Sequence, residues 1–191
     1  MRIGVLGTGT IASAVVHGIA GDDHEITVSR RSESRSSALE AAYENVTVAE
    51  NQEVLDRSDV IFLGLMAETV EQILAEVSFR AGQRVVSFMA GASLEEVADM
   101  VRPAEAVAVM MPFPGIAQGG SPIMMQGERA LIDTLFGARN RIFALKDTAE
   151  LQAYLAAQAI LSPVAALSLV RRLWDLVNEF LGAPIGLVRR L

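Results

Sequence analysis

The chain has 191 residues, of which 51% are hydrophobic, and its net charge is −7. An acidic chain lacks the basic field that binds phosphate backbones, so we expect no nucleic-acid partner. The sequence contains no cysteine. This excludes disulfides, thiolate catalysis and cysteine-ligated metals, and it fits a cytoplasmic protein.

No stretch of the sequence has the pattern of a membrane anchor. The most apolar late stretch, residues 155–170, is interrupted by Gln158, Ser162 and Pro163 and is too short to cross a bilayer. Near the N-terminus, glycines interrupt the apolar run and a second strand follows, which argues against a signal peptide. We therefore expect a cytoplasmic protein with no membrane partner.

Short apolar strands alternate with amphipathic helices along the first 146 residues. The pattern predicts strands at 2–6, 25–29, 46–48, 59–65, 84–88, 106–110, 121–125 and 141–145. It predicts helices at 10–20, 34–43, 51–57 and 68–77, and one that opens at Ser93 with a capping box. This alternation is typical of a parallel sheet covered on both faces. We predict an α/β fold with an N-terminal Rossmann-type, doubly wound, mainly parallel sheet.

The pattern changes after Lys146, where strands give way to helices. From residue 148 onward it predicts two helices broken near Ser162 and Pro163. The sequence thus divides into a domain at 1–146 and an all-α segment at 147–191. Either the first domain or a second chain must cover the apolar stripe of that segment, which comprises Leu155, Leu167, Val170, Leu173, Trp174 and Val177.

The loop after the first strand reads Gly-x-Gly-x-x-Ala, with Gly7, Gly9 and Ala12 at the three marked positions. In a dinucleotide site, the first glycine permits a tight turn and the second lets the backbone approach a pyrophosphate. The following helix offers its free N–H groups to the anion. A tight turn without a ligand is the alternative. The predicted cofactor contacts are Gly7, Thr8, Gly9, Thr10, Ile11 and Ala12.

The end of the second strand indicates which dinucleotide binds. NAD enzymes usually place a carboxylate there to hold the ribose 2′-hydroxyl. This chain has Ser29, Arg30, Arg31 and Ser32 instead. Two guanidiniums and two hydroxyls suit a 2′-phosphate, so NADP(H) is the expected cofactor. The alternative is that Arg30 and Arg31 are ordinary solvated charges.

Few side chains in the sequence could donate a proton to a substrate. His17 falls in the first helix, His24 precedes the second strand, and the single lysine is Lys146. A ketone reductase normally needs such a donor, whereas a protonated C=N is already electrophilic. The inventory therefore favours a small-molecule imine as substrate. The sequence shows no metal constellation.

Several motifs together resemble one known family. They are IGVLGTGTIASAV, the SRRS tip, VAENQEVL, DVIFLGLMAETVEQIL, VVSFMAGASLEEV and VMMPFPGIAQGGSPI. Through them, roughly the first 125 residues resemble the pyrroline-5-carboxylate reductases, NADP oxidoreductases with a Rossmann domain and a helical dimerisation domain. The resemblance implies hydride transfer from NAD(P)H to the C=N of 1-pyrroline-5-carboxylate, giving proline. It also implies a homodimer or higher homo-oligomer formed through the C-terminal helices.

The resemblance also implies further cofactor contacts. Asn51 would contact the adenosine side, although from the sequence alone it could equally be a helix N-cap. The cofactor would cross the strand ends at Leu65, Met66, Ala67, Ala90 and Gly91.

The chain departs from the family at the substrate end. Met66 and Ala67 replace a Lys-Pro pair, and the substrate-side loop at Met111 and Pro112 is shorter than the family's Met-Pro-Asn-Thr-Pro. Ser162 is a weak counterpart of the family's Ser/Gly-rich substrate segment and the one catalytic candidate. Two alternatives stay open: a related NADP oxidoreductase that acts on a deazaflavin or another imine or carbonyl, or a non-catalytic NADP-binding module.

Overall fold

The computed structural model describes residues 1–147, 149–151 and 153–154. Its strands are β1 (Arg2–Leu6), β2 (Glu25–Ser29), β3 (Val46–Ala49), β4 (Val60–Leu63), β5 (Arg84–Ser87), β6 (Glu105–Met111), β7 (Pro122–Gly127) and β8 (Arg141–Ala144). In the described part of the chain they form one sheet in the order β3-β2-β1-β4-β5-β6-β7-β8. Strands β1 to β6 are parallel, which confirms the predicted doubly wound, mainly parallel sheet.

Helices cover both faces of this sheet. They are α1 (Thr10–Ile19), α2 (Glu33–Ala42), α3 (Asn51–Asp56), α4 (Ala67–Ala75), α5 (Leu94–Met100) and α6 (Arg129–Phe136), with a 3-10 helix at Pro114–Ala117. One core lies under α1, α2, α6 and the 3-10 helix. The other lies under α3, α4 and α5. Because both faces are buried, strands such as VIFL in β4 are apolar at every position.

The strand and helix bounds agree closely with the sequence prediction up to β6. The capping box is present: Ser93 accepts from the Glu96 N–H, and the Glu96 carboxylate accepts from the Ser93 N–H at 2.8 Å. These hydrogen bonds from Ser93, with its backbone N–H first, lower the pKa of Glu96. The prediction does not include α6 or the 3-10 helix.

The sheet reverses direction at β7. Strand β7 is antiparallel to β6, while β8 is again parallel to β7. A parallel partner for β6 would need a crossover of about a dozen residues or more. The short segment between β6 and β7 carries the 3-10 helix at Pro114–Ala117, so the chain turns back directly. The parallel pair β7 and β8 does need a crossover, which α6 supplies.

Residues Met1–Leu151 form one compact unit, and Gln152–Leu191 are assigned to a second. Residues 149–151 and 153–154 are helical. The rest of the predicted all-α segment lies outside the described residues, including Ser162 and the apolar stripe, so its fold and the boundary at 146 stay predictions. Within the described residues, no helix combines the length and hydropathy needed to cross a bilayer.

Candidate functional site

The strand order creates a crevice at one edge of the sheet. From β1 the sheet continues to β2 and β3 on one side, and to β4, β5 and β6 on the other. The point at which the strand order changes direction is a topological switch point, and the loops on its two sides leave toward opposite faces of the sheet. In this fold, ligands bind in the crevice between those loops, beyond the carboxyl ends of the strands. The topology brings all the described predicted contacts to this edge: 7–12, 29–32, 51, 65–67, 90–91 and 111–112.

The glycine loop lies at the centre of the crevice. Gly7 has a φ of +90°, and a Cβ at this position would lie 2.6 Å from the carbonyl oxygen of Gly64, which follows β4. Only glycine therefore fits position 7 without strain. Gly9 occupies the N-cap of α1 without a side-chain cap, and a Cβ there would meet nothing within 4 Å. An anion can therefore approach the first N–H groups of α1.

Hydrogen bonds join the glycine loop to the end of β2. The fully buried Ser29 hydroxyl accepts the Gly7 N–H at 2.8 Å. Thr8 Oγ1 donates to the Ser29 carbonyl and accepts from the Ser32 N–H, both at 3.3 Å. The hydrogen bonds of the Ser29 and Thr8 side chains thus fix the glycine loop to the end of β2. Ala12, on the first turns of α1, is buried in the core.

The two arginines after β2 have different partners. Arg30 Nε lies 2.9 Å from Glu50 Oε1, in a pair whose side chains are 55% and 76% exposed. Arg31 Nη1 donates to Thr69 Oγ1 at 3.0 Å, in the first turn of α4. A carboxylate is therefore present at the end of β2, although it comes from the neighbouring strand β3. The sequence predicts no carboxylate at the end of β2. This is true of residues 29–32 themselves, but Glu50 brings a carboxylate next to them in space.

Sequence reasoning missed Glu50 and Thr69, although strand pairing gives a signal for the first. Ser29 pairs with Ala49 in the parallel register of β2 and β3, and the Arg30 N–H donates to the Ala49 carbonyl at 3.1 Å. The next residues along the two strands are Arg30 and Glu50. The contact between their side chains can therefore be predicted only once β2 and β3 are known to be neighbours.

Asn51 is the first residue of α3, while Glu50 takes the N-cap position without a side-chain cap bond. The N-cap alternative for Asn51 is therefore wrong by one position. Asn51 is half-buried at the crevice edge. Its contact with adenosine stays a prediction.

The loops after β4, β5 and β6 differ in how far they are exposed. Leu65 is buried in the core, whereas the next side chain, Met66, is 64% exposed. Ala67, Ala90 and Gly91 are also exposed, and Met111 and Pro112 are half-buried. This part of the crevice is therefore lined by apolar residues, of which Ala67, Ala90 and Gly91 are small.

The histidines and the lysine do not lie at this edge. His17 is in the last turn of α1, where Nδ1 and the Tyr43 hydroxyl are 2.8 Å apart. His24 precedes β2, at the opposite end of the strands. Lys146 follows β8, which runs in the direction opposite to β1. The crevice therefore lacks the usual proton donors among the residues described.

Two open surface pockets lie away from Gly7 and Gly9, although Thr10 lines the second of them. One of about 360 Å³ lies near the amino ends of β1 and β2, lined by residues including Arg2, Glu25 and Thr47. Another of about 300 Å³ lies between α1, α2 and the 3-10 helix. In the part of the chain that the structure describes, no group of three His, Cys, Asp or Glu residues could hold a metal ion.

Comparison with known proteins bears on the family. Residues 2–91 match the family described as NADP oxidoreductase, coenzyme F420-dependent. A pyrroline-5-carboxylate reductase of Corynebacterium melassecola is 28% identical over 159 residues, which are 78% of this chain and 58% of that protein. The chain therefore spans less than two thirds of the length of this curated relative.

Solved structures share the fold. The 1-pyrroline-5-carboxylate reductase from the human pathogen Streptococcus pyogenes matches with a TM-score of 0.66 at 22% identity, over 97% of this chain and 81% of that one. A reductive aminase from Aspergillus terreus, in complex with NADPH4, cyclohexanone and allyl amine, matches with a TM-score of 0.68 at 16% identity, over 95% and 74% of the two chains. The predicted resemblance is confirmed: in its N-terminal sequence and in its fold, this chain resembles the pyrroline-5-carboxylate reductases, a group of NADP-dependent oxidoreductases.

Proposed function

We propose that this chain is an NADPH-dependent oxidoreductase that reduces the C=N bond of 1-pyrroline-5-carboxylate to give proline. The observation that carries the proposal is the crevice at the switch between β1 and β4. There the open Gly9 and the uncapped start of α1 lie beside a loop that bears two arginines. The description of the matching family as NADP oxidoreductases supports the choice of cofactor.

The residues at the crevice divide the binding of NADPH among them. The N–H groups at the start of α1 bind the pyrophosphate, because they are uncapped and Gly9 leaves the approach open. The loop at 30–32 binds the 2′-phosphate, since guanidinium groups pair well with phosphate oxygens. The surface after β4 to β6, with Met66, Gly91 and Met111, faces the nicotinamide. NADPH supplies the hydride, and these residues orient it.

The residue types at the carboxyl edge favour an imine over a ketone. Among the residues described there, neither a histidine nor a lysine follows β4, β5 or β6 directly. A ketone needs a proton on its oxygen as the hydride arrives, whereas a protonated imine needs only position and charge complementarity. The sequence similarity to the pyrroline-5-carboxylate reductase of Corynebacterium melassecola and the fold shared with the reductive aminase support an imine substrate.

The test of this function is turnover of the full chain. NADPH consumption is followed in the presence of 1-pyrroline-5-carboxylate, and proline is identified as the product. We expect both. Tight NADPH binding without turnover of any imine or ketone would contradict the proposal and favour the alternative of a non-catalytic module.

The double variant Arg30→Ala with Arg31→Ala tests the cofactor assignment. Because it removes both cations from the 2′-phosphate region, we expect the KM for NADPH to rise about tenfold or more. The KM for NADH should change far less. Arg57→Ala is the control, because Arg57 pairs with Glu53 in α3 and lies outside the loop. Equal rises for the two dinucleotides would overturn the assignment of NADPH.

A second candidate function is reduction of a deazaflavin. The description of the matching family names coenzyme F420, and Met66, Ala67 and the short loop at Met111–Pro112 depart from the pyrroline-5-carboxylate reductase pattern. A turnover screen with NADPH compares a deazaflavin, 1-pyrroline-5-carboxylate and open-chain imines. Preference for the deazaflavin would select this second candidate.

We further propose that the enzyme is cytoplasmic and works as a homodimer or higher homo-oligomer. The lack of cysteine supports the first point. The apolar stripe of the C-terminal sequence, with Leu167, Leu173 and Trp174, supports the second, because a partner chain could cover it. In this arrangement a partner's helices complete the substrate pocket. Sedimentation that showed a fully active monomer would contradict it.

A further inference from the structure

The two arginines after β2 differ in how much of their charge a partner cancels. Arg30 lies against the Glu50 carboxylate, with 2.9 Å between Nε and Oε1. Arg31 donates to the neutral hydroxyl of Thr69. A phosphate that approaches Arg30 therefore also approaches the negative charge of Glu50. A phosphate that approaches Arg31 meets a neutral hydroxyl as that arginine's partner.

The Thr69 hydroxyl can only accept the hydrogen bond from Arg31. Its own proton is donated to the Met66 carbonyl, at 3.1 Å between the oxygens. Its lone pairs then face the Arg31 guanidinium at 3.0 Å. Thr69 belongs to α4, which follows β4, and Arg31 follows β2, so their bond links the two sides of β1. Thr69 thus holds Arg31 by a hydrogen bond between elements on the two sides of β1.

Glu50 places an exposed carboxylate beside the loop that carries the two arginines. It occupies the N-cap of α3 but makes no cap hydrogen bond, and its side chain is 76% exposed. Its recorded partner is Arg30. NAD enzymes hold the ribose 2′-hydroxyl with a carboxylate at the end of the second strand. Here the third strand brings a carboxylate to the same edge.

We infer that Glu50 determines how strongly the site discriminates between NADPH and NADH. Its carboxylate repels the 2′-phosphate and ties Arg30, and it can accept a hydrogen bond from the free 2′-hydroxyl of NADH. Arg31, positioned by Thr69, is then the main phosphate contact, and the site binds both dinucleotides. This inference rests on the proposed function, because it assumes that the crevice binds a dinucleotide.

The decisive variant is Glu50→Gln, tested by measuring the dissociation constants of NADPH and NADH on the full chain. Loss of the carboxylate should tighten NADPH and weaken NADH, so that the ratio of the two constants shifts about tenfold toward NADPH. The control is Glu53→Gln, which removes the same charge one turn along α3 from a residue paired with Arg57. This control should leave the ratio unchanged. An unchanged ratio in Glu50→Gln, or an equal shift in both variants, would overturn the inference.

Thr69→Val tests the positioning of Arg31. Valine keeps the shape of the side chain but cannot accept the guanidinium bond, so we expect NADPH to bind about threefold more weakly and NADH to bind as before. Thr69→Ser keeps the hydroxyl and should restore NADPH binding. Equal weakening of both dinucleotides in Thr69→Val, or no rescue by serine, would contradict the positioning role.

One further ligand separates this inference from the proposed function. Adenosine 2′,5′-bisphosphate carries the 2′-phosphate without a nicotinamide, so it reports on this end of the crevice without turnover. If the wild-type chain binds neither this compound nor NADPH, the proposed function fails and the inference fails with it. If it binds both and Glu50→Gln does not alter the preference, only the inference fails.

Discussion

The charged residues at the two ends of the parallel strands have different kinds of partner. We call the end where β1 to β6 begin the amino edge of the sheet, and the end where they finish the carboxyl edge. At the amino edge, Asp59 accepts hydrogen bonds from Arg2 at 2.6 and 2.9 Å and from Arg80 at 3.1 Å, which ties β1, β4 and the segment before β5 together. At the carboxyl edge, Arg30 and Arg31 each have one recorded partner, on loops around an open crevice. Charges at the first edge join strands. Charges at the second edge are free to exchange a protein partner for a ligand.

The same contrast holds for the buried polar groups. At the amino edge, the fully buried Gln83 donates to the Leu55 and Ser58 carbonyls at 2.7 and 3.2 Å and accepts from the Arg80 N–H at 2.8 Å. At the carboxyl edge, buried Ser29 supports a loop whose outer side is open. The amino edge should therefore govern stability, and the carboxyl edge should govern both loop geometry and binding. Four substitutions test this division.

Gln83→Leu should have the largest effect on stability. It removes three hydrogen bonds and leaves the Arg80 N–H and the Leu55 and Ser58 carbonyls without this partner, so we expect a loss of about 3 kcal/mol in the free energy of unfolding. The affinity for NADPH should stay the same at a temperature where the variant is folded. Chemical unfolding and ligand titration measure the two quantities. A marked loss of NADPH affinity in the folded variant would break the proposed division.

Gly7→Ala should affect both stability and binding. A Cβ at Gly7 would require a positive φ for alanine and a contact of 2.6 Å with the Gly64 carbonyl oxygen, so we expect a loss of about 2 kcal/mol or more in stability. NADPH binding should weaken at least about tenfold, because the loop must shift.

Gly9→Ala is the matched variant. Gly9 has a φ of −71° and free space at its Cβ position, so its stability should change by less than about 1 kcal/mol while NADPH binding weakens. Normal NADPH binding by Gly9→Ala would mean that the pyrophosphate does not pass over this loop.

The smallest expected effect is the pH dependence of the amino-edge ion pairs. Hydrogen bonds from Arg2, and then from Arg80, hold the pKa of Asp59 below its ordinary value. Because the folded-state pKa is the lower one, this carboxylate stabilises the fold above its unfolded-state pKa of about 3.9, and the contribution is lost as the pH falls through the folded-state value. Asp59 is 46% exposed, so the contribution should be at most about 1 kcal/mol.

Urea unfolding of the wild type and of Asp59→Asn tests this effect. The difference between the two midpoints should be present at about pH 7 and should shrink below about pH 3.5. A difference that is the same at both pH values would show that the ion pairs do not stabilise the fold through the charge of Asp59.

Local patterns were enough to predict most of the fold. The βαβ unit around Gly7, the capping box at Ser93 and the apolar runs of β1 and β4 all follow from neighbouring residues, and the structure agrees with each. The reversal at β7 was not predicted, because the direction of a short strand depends on how long its connection is. Glu50 was missed for a related reason: its contact with Arg30 exists only through the pairing of β2 with β3.

The same limit applies to the roles of individual site residues. A serine at the end of β2 looks from the sequence like a phosphate ligand, yet the structure buries Ser29 and uses its hydroxyl for the Gly7 N–H. No sequence pattern distinguishes these two uses.

The hydrogen bonds of Ser29 and Thr8 have a mechanical consequence. Gly7 donates to Ser29, and Thr8 both donates to Ser29 and accepts from Ser32, so these bonds join the turn proposed for the pyrophosphate to the loop proposed for the 2′-phosphate. The spacing of the two proposed anion sites is then set before a ligand arrives, and we expect binding to require little further ordering of the chain. Substitutions at the two sites should consequently show non-additive effects on affinity, because residues in one hydrogen-bond network are energetically coupled.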